Sequence, residues 1–200
     1  MSDAPISGPT NPAPTRLSWA KIARRIRVPL SFVFAVAYVW LAKPSALSLA
    51  VGMPVAALGL ALRAAAAGHV RKDRELTTSG PYAYTRNPLY FGSLLIGLGF
   101  AVAARSIWIL AGLLALLLAI YWPLIRAEER YLREHFSGYD EYANRVPRMF
   151  PRLRVSSPHA SGHGAFSREL YLRHREYRAL LGALMVTAIL VAKMLFRGRI

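Results

Sequence analysis

Long apolar blocks broken by clusters of arginine constrain this chain more than any other feature. They run over residues 28–42, 46–67, 88–104, 106–125 and 179–196. Their apolar residues neither alternate, as in a half-buried strand, nor keep to one stripe, as in a soluble amphipathic helix. A helix needs about 20 apolar residues to cross a bilayer core, and four of the blocks approach that length. The first is short and is lengthened by Ile22 and Ala23 if the neighbouring arginines snorkel. The expectation is an all-α integral membrane protein with about five transmembrane helices. Lys43-Pro44-Ser45 and Arg105-Ser106 are the only breaks within the first two pairs of spans, so each pair reads as a tight helical hairpin.

The basic residues orient these spans. Twenty lysines and arginines fall before span one, between spans two and three, and between spans four and five, against four on the opposite side. The positive-inside rule places the N-terminus in the cytoplasm and the C-terminus outside. That bias accounts for the net charge of +16 without nucleic acid as a partner. The chain is compact and carries no organelle-retention signal, so a bacterial inner membrane is the expected location. Cysteine is absent, which excludes a disulfide framework, a thiolate nucleophile and a cysteine metal site. The five histidines do not share metal-binding spacing on one helix; His159 and His163 lie four apart, but in a glycine-containing loop.

The organisation follows. Residues 1–27 form a basic N-terminal segment whose first part, with Pro5, Pro9, Pro12 and Pro14, reads as disordered and lacks the shape of a signal peptide. Residues 28–154 form the membrane core. Residues 155–178 are a linker and an interfacial helix that could also cover a site, and 179–200 a last span. Gly52, Gly59, Gly92, Gly97 and Gly99 read as points of close helix packing in lipid.

Polar information is concentrated in two cytoplasmic segments, Arg71–Tyr90 and Arg126–Leu153, which return to the same membrane face on either side of a helical hairpin. In the first, Ser79-Gly80-Pro81 is a turn signal, and Asn87-Pro88 can cap and open a helix. A helix N-terminus with free N–H groups suits a carboxylate, and Tyr82, Tyr84 and Tyr90 beside it suit an adenine or a sulfonium. In the second, Glu128 and Glu129 follow directly on an apolar span. Carboxylates so close to the bilayer are expensive unless paired or functional. The plainer alternative is a solvated helix with Glu129 and Arg133 as four-spaced neighbours.

These residues together resemble a known family. Leu76-Thr-Thr-Ser-Gly-Pro-Tyr-Ala-Tyr-Thr-Arg-Asn-Pro-Leu-Tyr90, followed by Glu128-Glu129, Leu132, Phe136, Tyr139, Tyr142 and Val146-Pro147, is similar to the isoprenylcysteine carboxyl methyltransferases and the related phospholipid N-methyltransferases. The resemblance covers about Gly59 to Leu153. It implies a membrane methyltransferase using S-adenosylmethionine, releasing S-adenosylhomocysteine, and acting on a lipid or prenylated substrate from the bilayer. It implies that Glu75, Leu76 and Thr77 line the cofactor mainly through backbone. Tyr82, Asn87, Pro88 and Tyr90 would contact adenosine and the methionine carboxylate, Glu128 would hold the ammonium, and Arg86 and Glu129 would support the reacting groups. Two departures stand out. Asn87 replaces the family's histidine and cannot titrate. Leu124 stands where the prenylcysteine enzymes carry an arginine, with Arg126 nearby instead.

Methyl transfer from a sulfonium needs alignment more than a strong base. A carboxylate acceptor needs no base; an amine would need one, and Glu129, His69 and Tyr90 are the candidates. Two other readings compete: a nicotinamide-dependent membrane reductase with similar helices, and a non-enzymatic membrane scaffold.

Overall fold

The computed structural model describes residues 33–71, 75–152 and 166–197. The expectations for the N-terminal segment, for residues before 33 in span one and for the linker over 156–164 lie outside the described residues. The described residues contain helices and turns and no strand. Helix α1 covers 33–41, α2 Ala46–His69, α3 Pro88–Ala104 and α4 Ile107–His135. Then come the short helices α5, Tyr139–Arg145, and α6, Arg168–Arg173, and finally α7, Tyr177–Arg197. Among the described residues, three helices (α2, α4 and α7) are long and apolar enough to cross a membrane, and α3 is a shorter apolar helix.

Both breaks in the sequence are turns between helices. Between α1 and α2, Ser45 caps α2 through a reciprocal bond with Ser48, satisfying two otherwise orphan donors. Ser48 Oγ also donates to the Ala103 carbonyl at 2.9 Å, and the Lys43 N–H donates to Ala104 O at 2.8 Å. The α1–α2 turn is thereby fixed to the end of α3. Arg105, with a left-handed φ of 50°, turns the chain from α3 into α4.

Helices α2 and α3 lie antiparallel with their backbones in contact. A Cβ added at Gly59 would lie 2.6 Å from Gly92 O, and one at Gly99 would lie 2.5 Å from the Ala56 nitrogen and 2.6 Å from Gly52 O. The two glycine pairs repeat seven residues apart on each helix, so they meet across the whole seam. The packing reading of these glycines is correct, and Gly97 packs separately on Leu113 of α4. Such a seam allows close van der Waals contact where lipid offers no hydrophobic drive for helices to associate.

One boundary differs from the sequence reading. Span four does not end at Ile125; the helix continues without a break to His135, passing through a π-helical stretch at Leu117–Tyr121. Pro123 has no N–H to donate, and a widened turn just before it accommodates the lost bond. Glu128 and Glu129 therefore belong to the spanning helix itself rather than to a segment after it. Within 155–178 the described residues hold one short helix, α6, Arg168–Arg173.

At the opposite end of the chain, α7 starts beside the C-terminal half of α2, where Glu176 pairs with Arg63, and ends near α1, where Lys193 Nζ donates to the carbonyls of Val39 and Trp40.

Candidate active site

The loop joining α2 to α3 and the chain following α4 are stitched into one unit. The Arg86 N–H donates to Pro147 O at 2.9 Å, and the Arg152 N–H donates to Tyr84 O at 3.1 Å. Thr85, fully buried, donates its hydroxyl to Met149 O at 3.0 Å. Tyr142 Oη donates to Tyr82 O at 2.8 Å and holds α5 beneath the Gly80–Ala83 turn. Gly80 enters that turn with a φ of +58°, a conformation that favours glycine. The turn signal at 79–81 and the tyrosines at 82 and 142 are thus one structural device.

A cavity of about 270 Å³ opens between these segments and the last turns of α4. Its wall includes Glu75, Leu76, Thr77, Tyr82, Arg86, Asn87, Glu128 and Glu129, together with Leu132, Tyr139 and Tyr142. Eight of the ten predicted site residues are therefore brought together. The other two sit beside it. Pro88 is buried as the first residue of α3. Tyr90 lines a neighbouring apolar groove with Phe34, Leu117 and Tyr121, and reaches the cavity wall by donating its hydroxyl to Glu128 at 2.9 Å. His69 does not line the cavity: its Nδ1 contacts Ala65 O at 2.7 Å and its ring packs on Gly80.

The two glutamates have opposite surroundings. Glu129 is 5% exposed. Its Oε2 accepts from Arg148 Nε at 2.8 Å, and its Oε1 accepts from Asn87 Nδ2 at 3.1 Å and faces Arg86 Nη1 at 3.6 Å. The solvated alternative fails for this residue, because Arg133 pairs with Asp140 at 2.7 Å instead. Glu128 is exposed at the cavity, with Tyr90 as its hydrogen-bond donor. A carboxylate held by two guanidiniums is a fixed structural anion, whereas one held by a single phenol retains accepting capacity for a cation.

Asn87 occupies the N-cap position of α3, but its side chain makes no capping bond. Nδ2 instead donates to Glu129 and to Arg148 O at 2.9 Å. The cap reading of the side chain is corrected accordingly. A pair of donors is what a buried carboxylate beside a carbonyl demands, and an amide supplies both without charge.

Arg148 was not singled out in the sequence. It lies directly after Val146-Pro147, where an extended segment returns to the site, and it also covers the Trp122 ring at 5.5 Å. Arg86 lines the cavity, donates to Tyr139 Oη at 3.4 Å, and has a buried Nε without a hydrogen-bond partner. Burial raises the hydroxyl pKa of Tyr82, Tyr139 and Tyr142 above the ordinary phenol value, with the nearby Glu128 adding to the shift at Tyr82 and Glu129 at Tyr139. These three hydroxyls stay protonated at neutral pH and do not serve as bases. Among the described residues, no group of three or more His, Asp or Glu side chains could hold a metal ion.

A family model for phospholipid methyltransferases matches residues 56–138, the stretch from α2 through α4 that carries most of the cavity wall. That match points to a membrane methyltransferase. Two curated bacterial proteins are similar to the chain. The nickel-cobalt-cadmium resistance protein NccN of Alcaligenes xylosoxydans xylosoxydans is 40% identical over 104 residues, covering 50% of this chain and 48% of that protein. The cobalt-zinc-cadmium resistance protein CzcN of Cupriavidus metallidurans is 44% identical over 86 residues, covering 42% of this chain and 39% of that protein. The matched stretches thus span half or less of these relatives. No solved structure matches the chain.

Proposed function

We propose that the protein is an S-adenosylmethionine-dependent methyltransferase of the isoprenylcysteine and phospholipid methyltransferase group, acting on a lipid-like acceptor. The observation that carries this reading is the division of labour between adjacent glutamates. Glu129 fixes the loop and Arg148, and Glu128 faces the cavity with capacity to spare. The residues fit a zwitterionic amino-acid moiety. Glu128 offers an acceptor for an ammonium, and Arg86 carries an unused buried donor of the kind a carboxylate takes up. Tyr82 and Tyr139 give aromatic surface for a purine or a sulfonium. The cofactor supplies an electrophilic methyl group on a positively charged sulfur.

The protein's own part is binding, alignment and exclusion of water. A displacement that joins a cation to an anion gains from a dry, fixed setting. The leucines at 76, 89 and 132 give the cavity wall apolar surface beside the polar residues. None of the candidate bases is a free one. Glu129 is paired twice, Tyr90 bonds Glu128, and His69 lies outside the wall. The relatives' names concern resistance to nickel, cobalt, zinc and cadmium. For this chain we read any such role as running through the methylated product.

Calorimetry of S-adenosylhomocysteine binding to the detergent-purified protein tests the proposal. The expected result is micromolar binding, weakened at least about tenfold in Glu128→Gln by loss of a charge-assisted bond, and weakened in Tyr90→Ala. Absence of binding by a folded protein, with binding of a nicotinamide cofactor instead, would refute it in favour of the reductase.

A further inference from the structure

Arg63 is a charge placed inside an otherwise apolar helix, and no role proposed above uses it. Every nitrogen of its guanidinium is engaged. Nε donates to Glu176 Oε2 at 2.9 Å and Nη2 to Oε1 at 2.7 Å, a bidentate fork. Nη1 donates to Leu89 O at 3.2 Å and to Ser93 Oγ. The pair is largely shielded, with side-chain exposures of 23% for Arg63 and 11% for Glu176.

The partners are informative. Leu89 lines the cavity, and its neighbours in sequence are Pro88 and Tyr90, in the turn of α3 that delivers the Tyr90 hydroxyl to Glu128. Room for the arginine is made by Gly92, where an added Cβ would lie 2.7 Å from Arg63 Cγ. Glu176 is delivered by a turn in which Arg175 adopts a left-handed φ of 55°. Non-glycine residues hold such a conformation where surrounding contacts enforce it. Glu176 also lies well outside the stretch matched by the family model, residues 56–138.

We infer that Arg63 is a positioning residue for the candidate site, setting the first turn of α3, and that Glu176 of the C-terminal segment orients it. The fork to Glu176 fixes the guanidinium plane, and the remaining nitrogen then holds the Leu89–Ser93 turn at one height along α2. The C-terminal segment is on this account a working part of the site and not only a further span. The inference rests on the methyltransferase reading, because its readout is cofactor affinity.

The test uses the full chain in detergent, with thermal melts and S-adenosylhomocysteine calorimetry run in parallel on Glu176→Asp, Glu176→Gln, Arg63→Lys and the double variant Arg63→Met/Glu176→Met. Lysine keeps the charge and loses the fork. The double variant leaves no unpaired charge, so its melting midpoint stays near that of the unaltered protein. Glu176→Gln, Arg63→Lys and the double variant are expected to bind about tenfold more weakly, with Glu176→Asp retaining most of the affinity. Binding by the double variant within about twofold of the unaltered protein would overturn the inference, since the coupling of contacting groups exceeds that. If the unaltered protein itself does not bind, the methyltransferase reading fails and this inference falls with it.

Discussion

Neutralising Glu129 and neutralising Glu128 should have very unequal consequences for stability, although the residues are adjacent on one helix. In Glu129→Gln the shape is kept and the charge removed. Two guanidiniums then lose their counter-ion: Arg148, 36% exposed and partly solvated, and Arg86, 12% exposed and with one donor already unsatisfied. Breaking a buried pair by removing one partner costs about 3–5 kcal/mol. Water at Arg148 offsets part of that, which leaves roughly 3 kcal/mol borne mainly by Arg86. The new amide also puts an NH₂ group against Asn87 Nδ2 unless it flips, in which case it faces Arg148. For a chain of this size, 1 kcal/mol corresponds to about 2–4 °C in melting midpoint, so a drop of roughly 6–12 °C is expected. Glu128→Gln removes a carboxylate that is exposed and hydrogen-bonded by one phenol, and its midpoint should move by less than about 2 °C. The assay is a thermal melt of both variants in the same detergent, beside calorimetry. Midpoints within 2 °C of each other would refute the assignment of Glu129 as the charge that ties the loop, α4 and the returning segment together.

Asn87→Asp should destabilise more than Asn87→Ala, because it sets a second carboxylate against Glu129 Oε1 where a donor now lies at 3.1 Å; comparative melts decide it. Gly59→Leu should lower the melting midpoint through at least about 1–3 kcal/mol of overpacking against Gly92 O and Ile96 N, whereas Gly182→Leu, with nothing within 4 Å of the added Cβ, should be close to neutral. Stability should decline as pH rises above about 10. The hydroxyls of Tyr82 and Tyr142 titrate higher in the fold than unfolded, so their contribution is complete below the unfolded value and is lost as pH climbs through the folded one. Denaturation at pH 9 and 11 should show a shallower decline for Tyr142→Phe than for the unaltered protein.

Much of this architecture was legible because bilayer constraints act on composition. The apolar blocks gave the helices, the breaks at Lys43-Pro44-Ser45 and Arg105-Ser106 gave the turns, and the glycines gave the α2–α3 seam. The end of α4 was not legible, since the switch from apolar to charged residues at Ile125 marks where solvent begins rather than where helical hydrogen bonding stops. Glu128, Glu129 and the Gly80 turn could be picked out because their residue types are costly or specialised at those positions.

Long-range partners were the part that local sequence could not supply. Asn87 before Pro88 satisfies every local criterion for a helix cap, yet its amide is drawn to a carboxylate 42 residues away. The reason is energetic ranking. A cap bond between neutral groups is a small net term, whereas a buried carboxylate left without donors costs its full desolvation. Glu129 therefore recruits Asn87 from the cap and Arg148 from the returning chain. The same ranking makes Arg63 recruit Glu176 across 113 residues. Shielded charges in this chain thus act as the long-range organisers of the site, and the residues they collect are those that a reading of neighbours along the sequence passes over.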